Sequence, residues 1–416
     1  MALKTYPNGL RLSVIPKKEA KLISVDLHIT SGTQSEKNYE SGISEFLSRM
    51  LLMGTMKHPK ANDLSSYAKS NGIVLSTDNT SESVIVSLST ISENIDKAIE
   101  LLCEIAFDSA FEASSGDIVR NRMLADIIKL QENPSYILER MVNQALFYRT
   151  GLANPKFGTT TTISRMTASD AKEFLNRVLT PKNTIIAVVG DVDADKVYDK
   201  VMTTFYNRFI SGGEYKKLKY VAPIEDFFGG SRTKNKKLNQ SRMFIAFPSV
   251  SYKTSTKYAL DIAIPLIQKK IKEEIKSENF FHNEVLVNDT FANNGKLVFE
   301  CMVDYEHFNK YLDDIVNAIK KLEIEGVSEI DFENEKNAYI IEFLKKNERA
   351  ADISKAAARE VSVNKQSYSL ASELMKIELL TVADANKIIE NIFDVSKMYI
   401  AYLGNPVEIN TLSYLD

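Results

Sequence analysis

Imidazoles, thiols and glycine-rich turns carry most recognisable chemistry in a sequence, and this chain is sparing with them. Its four histidines, His28, His58, His282 and His307, show no spacing that would let two of them share a metal ion. His58, in Lys57-His58-Pro59, reads as a loop residue. Cys103 and Cys301 lie far apart in apolar surroundings, which points to buried free thiols and a reducing, cytoplasmic compartment. No glycine-rich phosphate loop, Cys-x-x-Cys pair or Gly-x-Ser-x-Gly elbow occurs. One charged pair does have helical geometry. Glu45 and Arg49 stand four residues apart, in the order that favours an ion pair along a helix.

The elements that would position these residues are written twice. Thr167-Ala168-Ser169-Asp170-Ala171 and Thr381-Val382-Ala383-Asp384-Ala385 each open a stretch with helical apolar spacing. Each is followed by a β-rich run ending in glycine, at Gly190 and Gly404, so both units run 23 residues from Thr to Gly. Threonine suits an N-cap and aspartate suits the first turn, where the helix dipole is positive. The offset between copies, 381 minus 167, is 214 residues, about half of the 416, and argues for duplication.

Strand patterns at Leu10–Ile15 and Leu22–Ile29 precede helical spacing at Ile43–Met53 and Leu64–Ala68. Val74–Ile91 reads as a hairpin turning near Asp78-Asn79, Ile95–Ala106 as an amphipathic helix, and Ile118–Tyr148 as a long helical stretch broken at Asn133-Pro134. Strands followed by runs of helices predict α+β layers. Residues 211–240, with four glycines and many lysines, read as a linker. The expected division is therefore an N-terminal domain over 1–212, a linker over 213–240 and a homologous C-terminal domain over 241–416.

Bulk composition narrows the function classes. With 52 basic and 55 acidic side chains, a net charge of -3 gives no footprint for nucleic acid. The short lysine clusters at 216–219 and 234–237 read as solvated loop. No run of 18 apolar residues is present, so no membrane-spanning helix is expected. Met1–Arg11 lacks the apolar core of a signal peptide.

The stretch from Asn8-Gly9-Leu10 to Thr55 resembles the opening of the pitrilysin/insulinase metallopeptidases. The shared features are the "NGL" strand, a second strand ending in Ser31-Gly32-Thr33, and the helix Gly42-Ile43-Ser44-Glu45-Phe46-Leu47-Ser48-Arg49-Met50-Leu51-Leu52-Met53-Gly54-Thr55. In active members that helix carries His-x-x-Glu-His. Two imidazoles one turn apart bind zinc and the glutamate between them acts as general base on zinc-bound water. Here the first His position is Glu45, the Glu position Ser48 and the second His position Arg49. A guanidinium has no lone pair for a metal, and a serine hydroxyl is no carboxylate base. The resemblance places the remaining ligand 77 residues beyond Arg49, at Asp126, inside Arg120-Asn121-Arg122-Met123-Leu124-Ala125-Asp126-Ile127. Three of four functional positions are changed, so no zinc and no other cofactor is expected. Two arrangements are open to what is left: Glu45, Arg49 and Asp126 fill the old metal cavity as an ion-pair cluster, or Glu45 and Arg49 face solvent.

The resemblance also implies substrate contacts. A family Arg/Tyr pair that stabilises the oxyanion maps onto Lys276 and His282, neither of the family type. The turn ahead of a peptide-binding strand edge maps onto Asn71-Gly72-Ile73-Val74-Leu75-Ser76, with Leu75 in place of the family Asn. Backbone pairing does not depend on that side chain, so peptide binding at Leu75 and Ser76 can outlive hydrolysis. The implied fold is two homologous halves, each an antiparallel sheet packed with helices, closing as a clamshell around a chamber. The implied function is a pseudo-peptidase: an inactive subunit that pairs with an active zinc-peptidase homologue and helps to bind peptides. Self-association, a stand-alone peptide-binding scaffold, and a peptidase with an unrecognised site are the alternatives.

Overall fold

Continuous apolar runs such as Ile185–Val189 and alternating ones such as Ile23–Ile29 build the central strands of two sheets. The computed structural model describes residues 2–209, 227–238, 240–275 and 285–415. Strands in chain order are β1 (Ala2–Thr5), β2 (Arg11–Pro16), β3 (Ile23–Ile29), β4 (Val74–Asn79), β5 (Val84–Thr90), β6 (Thr184–Gly190), β7 (Gly230–Asn235), β8 (Ser241–Ser249), β9 (Val285–Thr290), β10 (Gly295–Val303) and β11 (Tyr399–Gly404). The first helices are α1 (Ile43–Met50), α2 (Ala61–Ser70), α3 (Ile95–Asp108), α4 (Ala113–Glu132), α5 (Pro134–Leu146), α6 (Thr160–Ile163), α7 (Ala168–Val178) and α8 (Ala194–Val201). The remainder are α9 (Thr256–Glu274), α10 (Phe308–Glu325), α11 (Glu329–Lys346), α12 (Ala350–Val363), α13 (Leu370–Glu378) and α14 (Val382–Ile392).

Contacts group the described residues into two compact units that do not follow the chain linearly. Unit 1 draws on Met1–Ile128, Asn154–Tyr220 and Leu344–Leu370; unit 2 takes Lys129–Ala153, Val221–Phe343 and Ala371–Asp416. Each unit thus includes a helix encoded in the opposite half of the sequence, α12 in unit 1 and α5 in unit 2.

Unit 1 is built on a six-stranded sheet of order β1-β2-β6-β3-β5-β4. Its core face sets Leu12, Val14, Val25, Leu27, Val86 and Val188 against Phe46 and Leu47 of α1 and the apolar face of α3. These side chains are essentially sealed from water, worth about 1.5–3 kcal/mol each before conformational entropy is counted. The opposite face, with Ile15, Val189, Ile185 and Ala187, packs on Ile353, Ala357, Ala358 and Val361 of α12. Unit 2 repeats the plan with a five-stranded sheet, β7-β11-β8-β10-β9, its core helices α9, α10 and α14 on one face and α5 on the other.

The expected α+β architecture in two halves is present, with one feature added to each sheet. Most neighbours are antiparallel, but β2 runs parallel to β6 and β7 parallel to β11, so both sheets are mixed. Strand β7 also occupies part of the stretch read as linker. It is an edge strand with five of its six residues exposed, held by backbone pairing to β11, so it leaves no apolar alternation in the sequence. The hairpin turn falls at Thr80–Ser83 rather than at Asp78-Asn79, because those two residues still pair with Ile85 and Val84 of β5. The break at Pro134 is a helix start, where Asn133 caps α5 by accepting from Ser135 N at 3.0 Å. Both repeat units carry the same reciprocal cap: Asp170 Oδ2 accepts from Thr167 N at 2.8 Å, and Asp384 Oδ2 from Thr381 N at 2.9 Å.

Candidate functional site

Helix α1 starts from a glycine because the chain must turn through φ +93° at Gly42. Its first amides are met by a carboxylate reached from outside the helix: Glu36 accepts from Gly42 N at 2.8 Å and Ser44 N at 3.0 Å, and also from the Ser44 hydroxyl. Glu36 is almost wholly buried, and burial pushes its carboxyl up to about 8 against the pull of those donors. Ile43, Phe46, Leu47 and Met50 anchor one side of α1 in the core, which leaves Glu45 and Arg49 on another.

Arg49 joins α1 to α4. Its Nε donates to Glu45 Oε1 at 2.8 Å and its Nη1 to Asp126 Oδ2 at 2.7 Å. The guanidinium carbon lies 5.5 Å from the centroid of the Phe157 ring. Asp126 is held in place by the burial of Met123 and Ile127 on the same helix. Side-chain exposure is 10% for Glu45, 26% for Arg49 and 46% for Asp126, so the cluster is half-buried and its Glu45 end is the dry one. Burial lowers the Arg49 pKa, but the hydrogen bonds and charges of Asp126 and Glu45 outweigh it, and the net direction is upward. The cluster thus has two carboxylates around one fixed cation. Of the two arrangements open to these residues, the structure has the ion-paired one.

Zinc does not fit this set. Arg49 cannot ligate, Ser48 is buried and lacks a carboxylate, and both acids are already engaged by the guanidinium. Among the described residues no group of three His, Cys, Asp or Glu side chains is placed to hold a metal ion. What the cluster can do chemically is present N–H donors and carboxylate acceptors.

Leu75 and Ser76 lie on β4, at the open edge of the unit 1 sheet, paired on one side with Leu88 and Ser87 of β5. Leu75 packs partly on the core whereas Ser76 is exposed. Asp78, near the end of the same strand, is 3.5 Å from Lys156, whose ammonium is 5.9 Å from the Phe157 ring. That chain of contacts connects the strand edge to the Arg49 cluster. Lys276 and His282 fall outside the described residues. Phe157, Lys156 and Glu36 were not found from sequence: none belongs to a periodic pattern, and Glu36 caps from six to eight residues away rather than from the usual three.

Family models match both halves of the chain. Residues 13–160 match "Insulinase (Peptidase family M16)" and residues 165–339 match "Peptidase M16 inactive domain". The chain belongs to the insulinase (M16) peptidase family. Its M16 relatives include the mitochondrial-processing peptidase subunit beta of Dictyostelium discoideum, 21% identical over 399 residues that cover 93% of this chain and 85% of that protein. An uncharacterized zinc protease of Streptomyces coelicolor is 24% identical over 203 residues, 48% of this chain and 44% of its own length. A crystal structure described as a peptidase M16 inactive domain, from Pseudomonas fluorescens, superposes with a TM-score of 0.87 at 15% identity, covering 99% of each chain; it shares the M16 fold.

Proposed function

We propose that this chain is a non-catalytic M16 homologue, a pseudo-peptidase that pairs with an active zinc-peptidase relative and helps to hold its peptide substrate. The observation that carries this reading is Arg49 hydrogen-bonded to Glu45 and Asp126, where a working site needs two imidazoles, a general base and an open ligand position. A half-buried ion-pair network in that place leaves no ligand set for the metal that would activate water, and no cofactor is proposed. The edge of β4, which among the described residues pairs with β5 alone, supports the binding half of the proposal. An extended peptide can join it through main-chain hydrogen bonds, which need no particular side chain at Leu75. The pairing half is supported by the D. discoideum relative, which is named as a subunit. Both cysteines are buried and free, which agrees with a reducing, cytoplasmic setting. Among the described residues no helix is long and apolar enough to cross a membrane.

The test is hydrolysis of a quenched fluorescent peptide library with added zinc. It is run on this chain alone, then with the His-x-x-Glu-His homologue encoded in the same genome, with complex formation followed by native mass spectrometry. Silence alone, together with a complex whose activity exceeds that of the homologue, is the expected result. Chelator-sensitive cleavage by the purified chain would overturn it.

A further inference from the structure

The two sheets are covered by their outer helices in different ways. In unit 2, α5 sets Leu138, Met141 and Val142 against Phe244 and Ala246 of β8 and Ala401 of β11. The one lysine in that seam, Lys296, is 3% exposed and fully engaged. Its Nζ donates to Glu139 Oε1 at 3.1 Å and to Asn143 Oδ1 at 2.9 Å, both on α5, so the charge fastens the helix down.

In unit 1 the middle of the corresponding strand, β3, turns Ser24, Asp26 and His28 toward α12, and β2 turns Ser13 the same way; none is more than 4% exposed. Two buried atoms on this sheet face, Ser13 Oγ and His28 Nε2, have no hydrogen-bond partner, and neither has Oε2 of Glu360 on α12 itself, whereas the Asp26 carboxyl accepts from Ser24 and is met by Ser354. Buried polar atoms are nearly always paired, because an unpaired one has given up its water for nothing. Three of them along one helix–sheet seam place the strain there. Burial drives Asp26 toward its protonated form and holds His28 neutral, its pKa depressed to about 3. Beside the apolar packing of Ile353, Ala357, Ala358 and Val361, polar contacts of α12 include Ser354 with Asp26 and, at 3.4 Å, with Ala187 O, Arg11 Nη1 to Val361 O at 3.1 Å, and Arg359 at 3.4 Å from Glu82.

We propose that α12 is a releasable strap, which lifts from the β2–β6–β3 face by local opening while the rest of unit 1 stays folded, and so wets Ser13, Asp26, His28 and Glu360. The device is asymmetric, since both helices have apolar seams but the buried Lys296 charge under α5 is paired with Glu139 and Asn143, whereas the α12 seam holds unpaired polar atoms. Opening uncovers Ile15, Val189, Ile353 and Ala357, a surface that exists in the open state alone.

Hydrogen–deuterium exchange of the full chain at pH 7, read as protection factors, tests this. Amides of α12 are expected to be less protected than those of α5 by about tenfold or more. His28→Leu, which removes the unpaired imidazole nitrogen with an apolar side chain of similar size, should raise α12 protection about tenfold and leave α5 unchanged. Ser13→Ala, a smaller change that keeps the strand packed, should raise it a few-fold. Equal protection of α12 and α5 in the natural chain would overturn the proposal. So would α12 protection that is unchanged or lower in Ser13→Ala, a variant that decides the matter even should His28→Leu not fold.

Discussion

Arg49→Ala isolates the cluster that stands where M16 chemistry would be. Three interactions are lost together. The bond to Glu45 is the dry one and is worth about 1–1.5 kcal/mol, since Glu45 is left in a poorly hydrated place without its cation. The bond to Asp126 contributes about 0.5 kcal/mol, because that carboxylate is nearly half exposed and regains water when released. Contact with Phe157 adds about 0.5 kcal/mol. The sum is a destabilisation of about 2–2.5 kcal/mol. Because the chain has no tryptophan, urea unfolding followed by far-UV circular dichroism is the suitable assay. Asp126→Asn should lose about 0.5 kcal/mol, and a double-mutant cycle between positions 45 and 49 should give a larger coupling than one between 49 and 126. If Arg49→Ala falls within about 0.5 kcal/mol of the natural chain, the cluster is ornamental and the argument from burial is wrong.

Three further outcomes can be checked. Glu36 has its carboxyl raised by burial to about 8, so the folded chain holds a proton that the unfolded chain releases near the ordinary carboxylate value. Its stabilising contribution is complete below that ordinary value and is lost as pH climbs through about 8; melting temperatures measured from pH 5 to 9 should fall accordingly, and Glu36→Gln should flatten the fall. Gly42→Ala would place a methyl group 2.8 Å from the backbone of Gly158 at a φ of +93°, which should cost about 2 kcal/mol or more in urea unfolding. Extended peptides methylated on alternate backbone nitrogens should bind more weakly than their parents in fluorescence anisotropy, on the face that would pair with β4 and not on the other.

Legibility from sequence followed the range of the signal. The Thr-x-x-Asp caps at Thr167 and Thr381 are complete within four residues, and the structure has them with matching geometry. The degenerate motif was equally local, for Glu45, Ser48 and Arg49 lie on a single turn of helix, and Asp126 came with the family frame. Glu36 and Phe157 were not legible, because each reaches the site through a turn whose path no periodicity records. Strand β7 was missed for a different reason: an exposed polar edge strand owes its place to its neighbour's backbone.

The exchange of α5 and α12 between the units marks the deepest limit of such reading, and also explains it. Both helices are amphipathic and each announces that it will cover something apolar, yet the pattern does not say which sheet. The choice is written instead in the residues on the far faces of the strands. Phe244 and Ala246 on β8 await an apolar helix, whereas Ser24, Asp26 and His28 on β3 meet one whose inner face carries Ser354 and Glu360. Duplication therefore set the architecture of both units, and divergence acted on two surfaces of unit 1. On the α1 side Arg49 pairs with Glu45 and Asp126; on the α12 side Ser13, His28 and Glu360 keep polar atoms unpaired. The α1 and α12 sides of unit 1 thus differ in how their polar groups are met, and the exchange and denaturation measurements above read those two faces separately.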